Sequence, residues 1–148
     1  MRLLLLGCTG FVGRELVPAL LESDHQLTLV SRRLARGYEA ERADGRVKWL
    51  QLDPAKSVSW QTPELVEALS TSDAVVNLAG EPIAEKRWTA VHRKVLEDSR
   101  LDTTRLLVDA FAASKSPPSV LINASAIGFF GPSPTSQFLA SSPVGAHL

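Results

Sequence analysis

The stretch from Arg2 to Leu16, which reads RLLLLGCTGFVGREL, decides the fold of this chain. It begins with an apolar run whose length is typical of a buried strand. Three glycines at the spacing G-x-x-G-x-x-G follow, and after them Leu16, Val17 and Leu20 recur at helical spacing. The stretch therefore predicts a strand, a tight turn and the start of a helix.

The three glycines of this turn have different roles. Gly7 permits a sharp turn, Gly10 has no side chain that would keep a pyrophosphate away from the backbone, and Gly13 lets the helix pack close to the strand. The helix then directs its first amides and its positive dipole end at the phosphates. The pattern favours a nucleotide-binding turn over a glycine-rich surface turn, and the residues that would contact the cofactor are Gly7, Thr9, Gly10, Phe11, Val12 and Gly13.

Composition excludes several other classes of protein. The 148 residues suffice for one domain, and their 45% hydrophobic content is enough for an ordinary core. Sixteen basic and sixteen acidic residues give zero net charge, so we expect neither a nucleic-acid nor a membrane partner. The leucine run is too short for a signal peptide or a membrane span, and we expect a cytoplasmic protein. With three scattered histidines and a single cysteine, we expect no metal site.

The residues after the second and third predicted strands indicate which cofactor is bound. A β-rich run at 26–30 is followed by Ser31 and Arg32, where NAD enzymes carry a carboxylate for the ribose 2′-hydroxyl. A guanidinium fork suits a 2′-phosphate instead, so the chain favours NADP over NAD, the alternative being arginines in a solvated loop. Asp53 ends a third strand at 47–52 and either accepts a hydrogen bond from the adenine amino group or only forms a turn.

The second half of the chain adds two strands and a long helix. A strand from Asp73 is apolar on both faces and leaves through Asn77, Leu78, Ala79 and Gly80, whose small residues provide room for a cofactor sugar; a plain glycine turn would need only Gly80. A helical pattern over 89–114 predicts one broad buried face that includes Val91, Val95, Leu107 and Val108. The fifth strand covers 119–124.

The order of these elements predicts an α/β fold of the Rossmann type. We expect a doubly wound, mostly parallel sheet with strand order 3-2-1-4-5 between two helical layers, ending after the fifth strand. The carboxyl ends of strands one and four then bring the glycine turn and residues 77–80 together. We assign residues 1–131 to an NAD(P)-binding domain and expect the Ser- and Pro-rich residues 132–148 to be loop or poorly ordered.

Several motifs together resemble the atypical extended short-chain dehydrogenase/reductases, in the branch called epimerase family or nucleoside-diphosphate-sugar epimerase. The motifs are the glycine turn at 7–13, Ser31-Arg32-Arg33, the stretch NLAGEPI at 77–83, Arg87-Trp88, Ser99-Arg100 with Thr103-Thr104, and Ser125-Ala126-Ile127-Gly128. The resemblance covers residues 1–131 and is most specific at 77–88. It implies an NADP-binding domain and oxidoreductase or epimerase chemistry on a sugar-like or other small carbonyl substrate.

The chain departs from that family at its catalytic residues. The superfamily uses a Tyr-x-x-x-Lys acid/base pair, whereas Tyr38 is the only tyrosine here and is followed four residues later by Arg42. Ser125 is the nearest candidate for the catalytic serine, although alignment through Phe130 puts Ala126 at that position, and Ser125 is equally well explained as a strand-exit residue. The chain is therefore predicted to be either the cofactor domain of an enzyme or a non-catalytic NADP(H)-binding module.

Family members are about twice as long as this chain, so we expect a cofactor-binding half, truncated or naturally reduced. In such a half the fifth strand is an uncovered edge. That edge and the long helix at 89–114 are the surfaces through which we expect self-association.

Overall fold

The computed structural model describes residues 1–33, 38–125, 130, 131, 135 and 137–145. Strands and helices alternate along the chain. Their bounds are β1 Arg2–Leu6, α1 Phe11–Glu22, β2 Gln26–Ser31, α2 Glu39–Ala43, β3 Val47–Gln51, a 3-10 helix Ser57–Gln61, α3 Pro63–Thr71, β4 Ala74–Asn77, α4 Ala90–Ala113 and β5 Val120–Asn123. The strands and α4 agree with the predicted elements to within a residue or two at most ends.

The five strands form one sheet in the order β3-β2-β1-β4-β5, as predicted. Every pair of neighbouring strands is parallel, so the described sheet is wholly and not merely mostly parallel. Leu6 at the end of β1 is aligned with Val30 on one side and Asn77 on the other. The carboxyl ends of β1, β2 and β4 therefore meet at one edge of the sheet, where doubly wound proteins bind their ligands.

The core lies on both faces of the sheet because side chains alternate along a strand. Leu3 and Leu5 point to one face and pack with Val17 and Leu21 of α1. The intervening Leu4 and Leu6 point to the other face, where the buried residues include Leu65 and Leu69 of α3 and Leu107 of α4. The arrangement is the predicted three layers, and the continuous leucine run of β1 is explained by burial on both faces.

The buried face of α4 is only partly the predicted one. Leu107 is buried as predicted, whereas Val91, Val95 and Val108 are exposed, and the other buried residues of the helix are His92, Leu96 and Thr103. A polar residue can occupy a buried helix position when its side chain bonds locally, and the Thr103 hydroxyl donates to the Ser99 carbonyl at 2.9 Å. A prediction that counts only apolar residues therefore misplaces part of this face.

The edge strand and the tail differ from the rest of the fold. All four residues of β5 are exposed, including Val120, Leu121 and Ile122. In the predicted tail 132–148, the described residues 135 and 137–145 form neither helix nor strand, and the Phe138 ring stacks on Phe130 at 5.4 Å. The other tail residues lie outside the described part of the chain. Among the described helices, none is both long and apolar enough to cross a membrane.

Candidate functional site: the carboxyl edge of the sheet

Gly7 turns the chain out of β1 in a conformation that disfavours a side chain. Its φ of 75° lies in the left-handed region. A Cβ atom at Gly7 would also lie 2.6 Å from the Cα of Ala79, because the chain leaving β4 passes directly over this turn. Gly7 therefore determines both the turn and the close approach of residues 77–80, which joins the two predicted cofactor-binding stretches.

Gly13 and Gly10 differ in what surrounds them. A Cβ at Gly13 would lie 2.6 Å from the Cα of Cys8 and would overlap the Cys8 carbonyl, so a glycine is needed for α1 to pack on the turn. At Gly10 the nearest atom to such a Cβ is the Gly7 carbonyl oxygen at 3.6 Å, an ordinary contact. Packing within the protein therefore explains Gly13 but does not explain Gly10.

The N-terminus of α1 is available to an anion. Gly10 is the N-cap residue and brings no side chain, and no acidic residue occupies the first turn of the helix. The first amides of a helix have no partner within it and carry the positive end of its dipole. Phe11, 91% exposed, and Val12 lie on the surface beside these amides, and Thr9 is half-buried. Cys8 is buried, and burial raises the pKa of its thiol to about 11.

Ser31, the last residue of β2, and Arg32, which follows it, lie in different environments. Ser31 is buried, its hydroxyl donates to the Arg33 carbonyl, and Trp49 Nε1 donates to the same hydroxyl oxygen at 3.2 Å. These bonds shape the end of the strand. The Arg32 side chain is 54% exposed at the same edge, and its Nη2 donates to Glu81 Oε2 at 3.0 Å.

Glu81 is a functional candidate that sequence reasoning missed. Its side chain is only 9% exposed, and it accepts from Arg32 Nη2 on one carboxylate oxygen and from Lys86 Nζ at 2.8 Å on the other. The hydrogen bonds from Lys86 and Arg32 lower the pKa of Glu81 to about 2, so this carboxylate is ionised at neutral pH. The available signal was the pair of opposite charges that follow β2 and β4, the two strands on either side of β1.

The backbone of Glu81 is fixed on α4. Its amide donates to the Ser99 hydroxyl at 2.9 Å, and Arg100 Nη2 donates to its carbonyl at 3.2 Å. The Arg100 guanidinium also lies against Gly80, where a Cβ would be 3.1 Å from its Cζ. The Ser99-Arg100 and Gly80-Glu81 motifs are therefore two sides of one contact.

Asn77 connects β4 to β5 and to the chain that follows it. Its Oδ1 accepts from the Ala79 amide at 3.1 Å, and its Nδ2 donates to Asn123 Oδ1 at 2.7 Å. The Leu78 amide donates to the Leu6 carbonyl at 2.9 Å and continues the sheet pairing. These bonds hold residues 77–79 against the glycine turn. Asn123 was not predicted as a site residue, although its position beside Asn77 follows from the register of two parallel strands.

The remaining predicted residues lie outside this network. Asp53 is half-buried and its Oδ1 accepts from the Ala55 amide at 3.1 Å, which is a turn-forming bond; contact with adenine stays a prediction. Ser125 is exposed just after β5, and its catalytic role is likewise untested. Ala126 lies outside the described residues. Tyr38 begins α2 with a φ of 63° and packs against the core, where burial raises the pKa of its phenol.

Two further features are a surface concavity away from the carboxyl edge and the placement of side chains that could bind a metal. A wide concavity of about 690 Å³ lies between α2 and β3, beside the amino end of β3, and includes none of the predicted site residues. Within the described part of the chain, no three His, Cys, Asp or Glu side chains come together as a metal site would require.

The carboxyl edge has what a dinucleotide phosphate requires. It offers open space above Gly10, a helix N-terminus without a nearby acid in its first turn, and the exposed cation Arg32 next to the end of β2. Ala79, at the exit of β4, packs directly against Gly7 of the turn. The residues present therefore fit a phosphorylated dinucleotide, whose pyrophosphate would lie over Gly10 and α1.

Comparison with known proteins was made by family model, by sequence and by structure. The model of the NAD-dependent epimerase/dehydratase family matches residues 3–147. The human epimerase family protein SDR39U1 is 33% identical over 147 residues, which are 98% of this chain and 43% of the human protein. The epimerase family protein SSP1921 of Staphylococcus saprophyticus is 31% identical over 129 residues, 87% of this chain and 39% of that protein.

The solved structure of a relative has the same fold as this chain. The crystal structure of human SDR39U1, isoform 2, with NADPH superposes with a TM-score of 0.74 at 32% identity. The match covers 99% of this chain and 44% of that one. The chain thus spans less than half the length of the relatives it matches.

Proposed function

Because the chain belongs to the NAD-dependent epimerase/dehydratase family, we propose that it binds NADP(H) at the carboxyl edge of its sheet. We propose further that it is the cofactor domain of an epimerase/dehydratase-like oxidoreductase acting on a sugar-like or other small carbonyl substrate. The related human protein was crystallised with NADPH, which supports this cofactor over NAD.

The pairing of an open Gly10 with an exposed Arg32 is the observation that carries the proposal. Gly10 leaves room for a pyrophosphate to approach the amides of α1. Arg32 follows β2, the strand whose end lies beside the adenosine ribose in this fold, and its guanidinium suits a 2′-phosphate. A structural glycine turn alone would need neither feature.

Each residue has a defined part in holding the cofactor. The α1 amides would bind the pyrophosphate, and Arg32 would pair with the 2′-phosphate. Asn77 fixes the Ala79 amide and so holds the small residues Ala79 and Gly80 where the adenosine sugar would pack. The nicotinamide, when bound, would supply hydride transfer to a carbonyl carbon or from the carbinol carbon of the corresponding alcohol. These residues orient the cofactor, and none of them moves a proton.

A second candidate function, a non-catalytic NADP(H)-binding module, is favoured by one specific observation. The 148 residues contain a single tyrosine, Tyr38, which packs against the core at the start of α2 and is followed four residues later by Arg42 instead of a lysine. The 148 residues therefore contain no Tyr-x-x-x-Lys pair for general acid catalysis. Sequencing the reading frame beyond Leu148 separates the candidates: a continuation with a Tyr-x-x-x-Lys pair favours the enzyme, and a stop codon favours the module.

Cofactor binding is tested by comparing Arg32→Gln with the wild type. Glutamine keeps an amide donor for Glu81 but removes the charge that would pair with the 2′-phosphate. We expect NADPH binding, followed by isothermal titration, to weaken at least about 10-fold, with NADH binding changed less than about 2-fold. Arg105→Gln, which removes an exposed arginine of α4 paired with Asp102, is the control. Equal losses of both cofactors would contradict the assignment of Arg32.

A further inference from the structure

We infer that Lys86 is a second cation for the 2′-phosphate of NADP(H), held beside Arg32 by the shared carboxylate of Glu81. The inference rests on the NADP(H) binding proposed above and names a residue of that site. Arg32 follows β2 and Lys86 lies in the chain after β4, so the pair joins two segments that the sheet brings to one edge.

Burial separates the three charges into a buried anion and two exposed cations. The Glu81 side chain is 9% exposed, whereas Arg32 is 54% exposed and Lys86 is 61% exposed. Because the two cations bind different oxygens of one carboxylate, they are held as neighbours. The surface of the cluster is therefore positive even though a carboxylate lies at its centre, and the cluster carries one net positive charge.

The position of Lys86 is defined by the chain around it. The Glu81 amide bonds to Ser99 and its carbonyl accepts from Arg100, so one end of the loop is attached to α4. The Trp88 indole Nε1 donates to the Ile83 carbonyl at 2.7 Å and closes the loop on itself. Lys86 lies within this closed loop and extends to Glu81. A cation held in place in this way loses less freedom on binding an anion than a free surface lysine does.

A phosphomonoester is the ligand that fits two adjacent cations of this kind. It carries a charge of about −1.5 to −2 at neutral pH and three acceptor oxygens, which a single arginine does not fully neutralise. The pyrophosphate is served by the glycine turn and the helix amides instead. Lys86 therefore strengthens the binding of NADPH, which carries the 2′-phosphate, and leaves the binding of NADH, which lacks it, unchanged.

The test measures two small probes as well as the dinucleotides. Adenosine 2′,5′-bisphosphate carries the 2′-phosphate, ADP lacks it, and both are titrated calorimetrically into wild type, Lys86→Gln and Lys86→Arg. We expect Lys86→Gln to weaken adenosine 2′,5′-bisphosphate and NADPH about 5- to 10-fold and to leave ADP and NADH within about 2-fold. Lys86→Arg, which keeps the charge, should retain most of the affinity. Lys94→Gln is the matched control, because Lys94 is an exposed lysine of α4 paired with Asp98.

Each other result overturns the inference in an identifiable way. An unchanged preference for NADPH in Lys86→Gln, with the wild type still preferring NADPH, removes Lys86 from the site and leaves the proposed function intact. Equal weakening of ADP and adenosine 2′,5′-bisphosphate means that Lys86 acts on their shared part. If the wild type binds none of the four compounds, the proposed function fails and the role of Lys86 fails with it.

Discussion

Gly10→Ala should separate cofactor binding from folding within a single turn. The added Cβ would meet its nearest neighbour, the Gly7 carbonyl oxygen, at 3.6 Å, so it causes no overlap. Gly10 has an ordinary extended conformation, with φ −78° and ψ −178°, that alanine adopts without strain. Alanine is a poorer N-cap than glycine by about 0.5 to 1 kcal/mol, so we expect the free energy of unfolding to fall by no more than about 1 kcal/mol.

The same methyl group should weaken cofactor binding. It would stand in the space through which a pyrophosphate approaches the amides of α1, and the phosphate would have to move outward or the turn would have to open. We expect NADPH affinity to fall about 10- to 100-fold, which corresponds to about 1.4 to 2.8 kcal/mol. Equilibrium urea unfolding and calorimetric titration of the same preparation measure the two quantities.

Gly13→Ala is the matched comparison because its effect should be the reverse. There the Cβ would overlap the Cys8 carbonyl, and α1 would have to move away from the turn. Overpacking of this kind costs about 1 to 3 kcal/mol, so the variant should lose stability before any ligand is added. If Gly10→Ala binds NADPH as tightly as the wild type, the pyrophosphate does not lie over Gly10 and the placement of the cofactor is refuted.

Three further predictions concern stability, reactivity and assembly. Glu81→Gln should lower the free energy of unfolding at pH 7 by about 1 to 3 kcal/mol. Because the folded pKa of Glu81, about 2, lies below its ordinary 4.5, the difference from wild type in urea unfolding should shrink as the pH falls from 5 to 2; a constant difference would contradict this. Cys8, with a pKa of about 11 against an ordinary 9.0, should react with a thiol reagent at pH 8 at least about 100-fold more slowly in the native protein than in urea, and comparable rates would show an accessible thiol. We expect concentration-dependent self-association through β5 or α4, where Ile122 and Leu101 respectively are exposed. Analytical sedimentation should show weaker association for either Ile122→Lys or Leu101→Lys than for the wild type. A wild type that is monomeric at every concentration would exclude self-association.

Local patterns were sufficient to predict most of the fold. The β1–turn–α1 unit follows from an apolar run, three spaced glycines and a helical period that are all contiguous in sequence. The strand order followed because parallel strands joined by helices allow few arrangements. Gly7 and Gly13 have the close contacts that the motif predicts, and Gly10 has the open space.

What the sequence did not predict depends on pairs of residues that are distant along the chain. Arg32 and Glu81 are 49 residues apart, and Asn77 and Asn123 are 46 residues apart. Their pairing requires the register of the sheet and the path of the loop after β4, which no local pattern specifies. Leu107 was correctly predicted on the buried face of α4, but Thr103 was missed because its hydroxyl is satisfied by a local hydrogen bond, which hydrophobic periodicity does not count.

The central claim is that this chain binds NADP(H) at the carboxyl edge of its sheet, and thermal unfolding with NADPH and with NADH tests it most directly. A ligand that binds only the folded protein adds about 2.7 kcal/mol of stability at 100 times its dissociation constant. For a protein of this size that corresponds to an increase in Tm of about 5 to 10 °C. We predict this increase with NADPH and a clearly smaller one with the same concentration of NADH. An unchanged Tm with both cofactors would contradict the account.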